Sequence, residues 1–269
     1  MSIKLVAIDI DGTLLNSERK ITPEVKATIK TAIEAGVNIV IATGRPTIGI
    51  EHIINELDLT SDHSYSITYN GALVQNTGTK EIVLKHPMTF DDYLDLEYLS
   101  RKLNVHFHVQ DATTMYTANR NISPYTINEA MLTGIPLVYR AVDEMTEQIE
   151  FIKMMMIDDP KVLDEAITKI PQSYRDRFTM VKSDTIYFEI LNKQASKGGA
   201  VFELADRLGI QRDEVMAIGD NENDLSMIEA AGVGVAMGNA VASVKKAADK
   251  ITKTNDEHGV AHALKEWVL

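Results

Sequence analysis

The sequence predicts an α/β fold with a Rossmann-like parallel-sheet core and an inserted α+β domain. Three observations lead there. Short apolar runs alternate with helix-patterned stretches over the first eighty-odd residues, the rhythm breaks near Pro87, and it returns after Ser196. Strand–helix alternation of this kind builds right-handed βαβ units around a parallel sheet.

The elements follow in order. Leu5-Val6-Ala7-Ile8 is a continuous apolar run, as expected of a strand buried on both faces. Thr22-Pro23 reads as a helix N-cap and first helical residue. Val25, Ile29, Ala32 and Ile33 then recur at helical spacing, and Gly36 closes the helix. Val37 to Ala42 is a second apolar run, followed by a helical stretch with Ile50, Ile53, Ile54 and Leu57 on one face. Ser66 to Tyr69 makes a third strand that ends at Asn70-Gly71.

Beyond Pro87 the pattern changes. Val105 to Val109 alternates, Met115 to Ala118 is another short strand, and Ser123-Pro124 starts a helix. Phe151 to Ile157 and Tyr187 to Leu191 read as further strands, with a helix at Pro160 between them. After Ser196 come a helix from Lys197 to about Gly209, a strand at Val215 to Ile218 and a helix after Glu222. A run from Gly232 to Ala236, a helix near Ala240 and a last helix to Trp267 complete the chain. The expected organisation is a discontinuous core, 1–85 and 191–269, with residues 86–190 inserted.

Composition narrows the function. The 269 residues carry Lys+Arg 27 against Asp+Glu 39, a net charge of −12. Such a surface repels nucleic acid and anionic lipid, so neither is an expected partner. An anionic substrate would need local positive charge at its site. The absence of cysteine removes disulfides, thiolate zinc sites and thiol nucleophiles. The first residues show no signal-peptide layout and no apolar run approaches membrane-spanning length, so a cytoplasmic location is expected.

Four motifs carry chemistry, each at a predicted strand end or helix start. Asp9-Ile10-Asp11-Gly12-Thr13 places two carboxylates at the end of the first strand, where ligands of open parallel sheets bind. Such a pair can hold Mg²⁺, or one carboxylate can attack phosphorus while the other moves protons. The competing reading is a simple Asp-Gly turn. Thr43-Gly44-Arg45-Pro46 offers a hydroxyl and a backbone N–H suited to phosphate, or else an N-cap and a turn. Lys197 sits at a helix start, where the dipole favours anions; a bound phosphate would reconcile the two, and a solvated lysine is the plainer alternative. Gly219-Asp220-Asn221-Glu222-Asn223-Asp224 brings more acids to the same sheet edge, as metal ligands or as helix caps. Accidental caps would not be expected to supply a nucleophile, a hydroxyl, a cation and metal acids in sequence.

This order of motifs resembles the haloacid dehalogenase superfamily, and more closely its Cof-type phosphatases. The likeness extends over nearly the whole chain, including Tyr69-Asn70-Gly71-Ala72 and Thr117-Ala118-Asn119-Arg120. It implies that Asp9 is the nucleophile and Asp11 the general acid and base. It also implies Mg²⁺ held by the Asp9 carboxylate, the Asp11 backbone carbonyl and Asp220, with Asp224 behind through water. Thr43 and the Gly44 N–H would bind phosphoryl oxygens and Lys197 would neutralise them. Asn223 would help position phosphate or substrate, with Arg45 and Asn70 as secondary contacts. The insert would be an α+β cap domain that excludes water and selects the leaving group.

The implied partner is a small phosphorylated metabolite, with sugar phosphates ahead of flavin mononucleotide or pyridoxal phosphate. A phosphomutase of the same superfamily, a non-catalytic sugar-phosphate-binding module and a receiver-like regulator are the competing readings. Other features are set aside. His106 and His108, two apart on one strand, read as surface residues; His258 and His262 lack the partners of a zinc site; and Met154-Met155-Met156 reads as core.

Overall fold

The computed structural model describes residues 2–269. From the N-terminus, β1 (Leu5–Ile8), α1 (Pro23–Glu34), β2 (Asn38–Ala42), a 3₁₀ turn (Thr47–Ile50) and α2 (Glu51–Glu56) lead to β3 (Tyr65–Thr68). Thr22 caps α1 through its side chain, with Pro23 in the first turn. Two further strands follow, β4 (Leu73–Asn76) and β5 (Ile82–Lys85).

The insert then runs through α3 (Phe90–Leu103), β6 (His106–Gln110), β7 (Met115–Thr117), α4 (Pro124–Thr133), β8 (Leu137–Tyr139) and β9 (Lys153–Ile157). It continues with α5 (Pro160–Thr168), α6 (Gln172–Arg177), β10 (Phe178–Asp184) and β11 (Tyr187–Asn192). The first rhythm resumes with α7 (Lys197–Arg207), β12 (Val215–Gly219), α8 (Leu225–Ala230), β13 (Val233–Ala236), α9 (Ala242–Ala247), β14 (Lys250–Ile251) and α10 (Gly259–Trp267).

These elements form two compact units, one of residues 2–44, 52–84 and 196–269, the other of 45–51 and 85–195. The first contains an eight-stranded sheet in the order β14-β13-β12-β1-β2-β3-β4-β5. From β14 to β3 the pairings are parallel, and β1 sits centrally with β12 on one side and β2 on the other. Strands β1 and β12 are buried along their whole length, which is why they read as unbroken apolar runs.

The sequence did not show β4 and β5. Tyr69, Asn70 and Gly71 all adopt positive φ (51°, 53° and 95°), and this reversal returns β4 antiparallel to β3. Residue type announces such a turn at Asn70 and Gly71 but not at Tyr69.

The second unit has its own six-stranded sheet, β10-β11-β9-β6-β7-β8, and its own core. Phe107, Val109, Met154, Met156, Phe188 and Ile190 point to one face and pack with Tyr93, Leu96 and Phe151. The Tyr93 and Phe151 rings stack at 5.1 Å. On the opposite face His108, Gln110, Lys153 and Glu189 are also buried. The expectation that His106 and His108 lie on the surface is therefore wrong for His108. His108 is fully buried, and His106 is half-buried with Nδ1 2.7 Å from Asp158 Oδ2. Alternation along β6 gives polar residues one shared face, but not whether that face meets solvent. His258 and His262 bond instead to Thr22 and Thr252.

Candidate active site

The parallel strands of the first unit deliver their C-terminal ends to one edge of the sheet. Asp9 follows β1, Thr43 follows β2, the Tyr69–Gly71 reversal follows β3 and Asp220 follows β12. The connection after β1 runs to β2 on one side and the connection after β12 runs to β13 on the other, so a crevice opens between the ends of β1 and β12. Lys197 reaches the same place from the first position of α7, whose N-cap Ser196 accepts from Gly199 N–H.

The charged centre is compact. Lys197 Nζ donates to Asp9 Oδ1 and to Asp224 Oδ1, both at 2.6 Å, and all three side chains are buried. Asp224 uses its other oxygen to accept from the backbone N–H groups of Asp220 and Asn221, at 2.9 and 3.1 Å. It therefore ties the lysine to the acidic loop. Asp220 accepts from Thr13 Oγ1 at 2.9 Å. Asp9 Oδ2, by contrast, has no hydrogen-bond partner among the described residues.

Backbone approach sets the spacing of these groups. Gly12 has φ +81°, and a Cβ there would lie 2.4 Å from Asp220 Oδ2. The two acidic loops are thus in contact through a position that only glycine can fill without displacement. A Cβ on Gly44 would meet the Asn70 amide at 3.0 Å. Asn70 in turn accepts from Asn223 Nδ2 at 3.0 Å, and its backbone N–H donates to Thr43 O at 2.9 Å. Thr43, Gly44, Asn70 and Asn223 therefore form one polar strip, with Thr43 and Asn70 buried.

Electrostatics follow from four acids and one ammonium. Burial works against the Lys197 charge, yet the facing carboxylates of Asp224 and Asp9 hold its pKa above the ordinary lysine value. Burial raises Asp9 well above the usual carboxylate range; Asp224 and Asp220 reinforce this, and Lys197 opposes it. Asp220 is pushed up to about 6, chiefly by burial, then by Asp224 and Asp11, against the hydrogen bond from Thr13. The site has more negative charge than Lys197 can balance. Asp9, Asp220 and Asp224 each offer an oxygen within 4.8 Å of the others, a grouping that can hold a metal ion. Oxygen-only donors with excess negative charge suit a hard divalent cation.

Asp11 stands apart from this group as an exposed side chain. Arg45 belongs to the segment 45–51 of the second unit. Three contributors went unread in the sequence. Thr13 orients Asp220, Ser226 Oγ accepts from Gly198 N–H at 3.0 Å, and Asn239 Nδ2 donates to Gly12 O at 2.8 Å. Thr13 completes the first motif and could have been read from it; Asn239, 227 positions from its partner, carries no local signal.

With this geometry in place, comparison with known proteins is decisive. The family model of the haloacid dehalogenase-like hydrolases matches residues 6–264. The chain belongs to that family. Among haloacid dehalogenase-like relatives, M6_Spy0533 of Streptococcus pyogenes is 50% identical over 269 residues, covering 100% of both chains. Phosphatase YwpJ of Bacillus subtilis is 32% identical, over 98% of this chain and 99% of its own. A haloacid dehalogenase-like hydrolase from Bacteroides thetaiotaomicron has the same fold, with TM-score 0.87, 33% identity and 98% coverage of each chain. The subclass IIB sugar phosphatase BT4131 superposes with TM-score 0.79 at 26% identity, over 97% of this chain and 98% of its own. The haloacid dehalogenase-like chain is a phosphatase, a hydrolase of phosphoric monoesters acting on a small phosphorylated compound. No helix among the described residues is long and apolar enough to cross a membrane.

Proposed function

We propose that the chain is a Mg²⁺-dependent phosphatase of small phosphomonoesters, sugar phosphates foremost, that works through an aspartyl-phosphate on Asp9. The observation that carries this reading is the Asp9 carboxylate itself. One oxygen is fixed by Lys197 and the other has no partner among the described residues, beside acids able to hold a cation. Resemblance to a sugar phosphatase supports the substrate class.

Asp9 Oδ2 attacks phosphorus, and the bond from phosphorus to the leaving oxygen breaks. Asp11, exposed and two residues away, gives that oxygen its proton. Asp11 then takes a proton from the water that attacks the aspartyl-phosphate, releasing inorganic phosphate and restoring Asp9. Thr43 Oγ1, the Gly44 N–H and Lys197 bind the phosphoryl oxygens, with Asn223 and Asn70 aligning that strip.

Asp9, Asp220 and the Asp11 backbone carbonyl would hold Mg²⁺, with Asp224 behind them. Mg²⁺ would neutralise the phosphoryl oxygens and favour the ionised form of Asp9.

The test is phosphate release across a panel of sugar phosphates and other phosphomonoesters, with Asp9→Asn as the control and with chelation by EDTA. Activity should vanish in both cases and return when Mg²⁺ is restored to the chelated enzyme. Wild-type turnover in Asp9→Asn would remove the nucleophile from the scheme.

A further inference from the structure

We infer that the inserted unit carries a second ligand site, a cavity that takes a small organic phosphate independently of Asp9 and its partners. The cavity measures about 840 Å³, within the range of small-molecule pockets. Every residue lining it belongs to the segment 85–195. It lies where α3 ends, β6 begins, β7 and β8 end, and β9 runs out to Asp158. Because β11 runs antiparallel to β9, this is the opposite end of the insert's sheet from Asn192, where the chain departs.

Its chemistry departs from that of the chain as a whole. In a molecule of net charge −12, this cavity gathers Arg101, Arg120 and His106 against the single acid Asp158. Asp158 is already engaged: its Oδ2 accepts from the His106 backbone N–H at 3.1 Å and lies 2.7 Å from His106 Nδ1. That contact fixes the ring and leaves Nε2 without a partner among the described residues.

Arg101 is anchored through Nε and Nη2 to the buried carboxylate of Glu97, at 2.8 and 2.7 Å, which leaves Nη1 unengaged. Arg120 makes no ion pair or side-chain hydrogen bond among the described residues. Asn119 accepts through Oδ1 from Phe107 N–H and the Thr117 hydroxyl, so its Nδ2 is the free end.

Donors from α3, β6 and the loop after β7 thus share one cavity, and partners hold Arg101, His106 and Asn119 in place. A tetrahedral dianion with several acceptor oxygens satisfies such a set, and guanidinium groups suit it geometrically. Tyr139, Val142 and Val162 on the remaining wall offer apolar surface to an organic body. The Ala118-Asn119-Arg120 run supplies the lining after β7, which gives this stretch of the insert a role separate from hydrolysis.

The test uses benzylphosphonate, a non-hydrolysable phosphonate, titrated into the full chain with EDTA present and followed by amide chemical shifts. Saturable shifts are expected at 104–106, 118–121 and 139–142. Arg120→Gln and Val162→Glu, both at exposed positions, should each raise the Kd read at those amides at least tenfold. Shifts confined to 9–13, 43–44 and 219–224 would overturn the proposal. So would a Kd at the insert amides that stays within twofold in both variants.

Discussion

Lys197 Nζ lies 2.6 Å from Asp9 Oδ1, a buried ion pair between residues 188 positions apart in the chain. The same ammonium reaches Asp224 at the same distance, so one side chain joins the first motif to the last. Removing one partner of a buried ion pair leaves the others uncompensated, at a cost of about 3–5 kcal/mol. Lys197→Met should therefore unfold at lower urea in the metal-free state, by about 3 kcal/mol. Mg²⁺ should recover part of that loss while kcat/KM stays down by at least about a hundredfold. Urea denaturation with and without Mg²⁺, alongside phosphate release, checks both; unchanged stability would mean the three groups are not ionised together.

Asp11 differs from the other acids in being exposed and outside the metal-capable group. Its replacement should spare binding. In Asp11→Asn, kcat should fall by about 10²–10⁴, the usual worth of a positioned acid and base, with KM within a few-fold. Steady-state kinetics on one good substrate decides it, and a large rise in KM with kcat intact would assign Asp11 to binding instead.

Asp220, with its pKa raised to about 6, gives cation binding a pH dependence. The carboxylate must be ionised to take the metal, and below about pH 6 the folded protein keeps it protonated. Apparent Mg²⁺ affinity should fall by at least about tenfold per pH unit below about pH 6, the raised Asp9 carboxyl adding to the loss. Calorimetric titration with MgCl₂ from about pH 5 to 8 measures this. A flat profile would show that Asp220 is not a ligand.

Two glycines with positive φ separate strain from function. Gly36, with φ +87°, has nothing within 4 Å of the point a Cβ would occupy, whereas at Gly12 the Cβ would collide with Asp220. Left-handed backbone costs a non-glycine residue about 1–2 kcal/mol. Gly36→Ala should lose about that much stability and retain its turnover. Gly12→Ala should also lose at least tenfold in both Mg²⁺ affinity and kcat. Parallel melting and activity assays discriminate them, and equal activities would deny the contact between the acidic loops.

His108 supplies a second pH effect, on stability. Burial, with Lys153 nearby, lowers its pKa to about 3, and its Nδ1 has no partner. The unfolded chain takes up this proton below about pH 6.5 and the folded chain does not, so stability present above about pH 6.5 is lost as pH falls, by up to about 1.4 kcal/mol per unit. The stability difference between about pH 7 and pH 5 should shrink by about 1–2 kcal/mol in His108→Asn. Urea denaturation at the two pH values shows whether it does.

Much of this protein was legible in its residues. Uninterrupted apolar runs such as Leu5–Ile8 and Val215–Ile218 mark strands buried on both faces, and such strands need parallel neighbours and crossover helices. Acids, a hydroxyl and glycines directly after those runs must then meet at one sheet edge. Topology is enough to gather Asp9, Thr43 and Asp220 there. Tertiary structure alone decided the rest. That Lys197 is shared by two carboxylates, that Asn239 holds Gly12 and that His108 is buried depend on contacts between distant segments, for which local periodicity carries no signal. Alternation along a strand says which side chains share a face; only packing determines what covers that face.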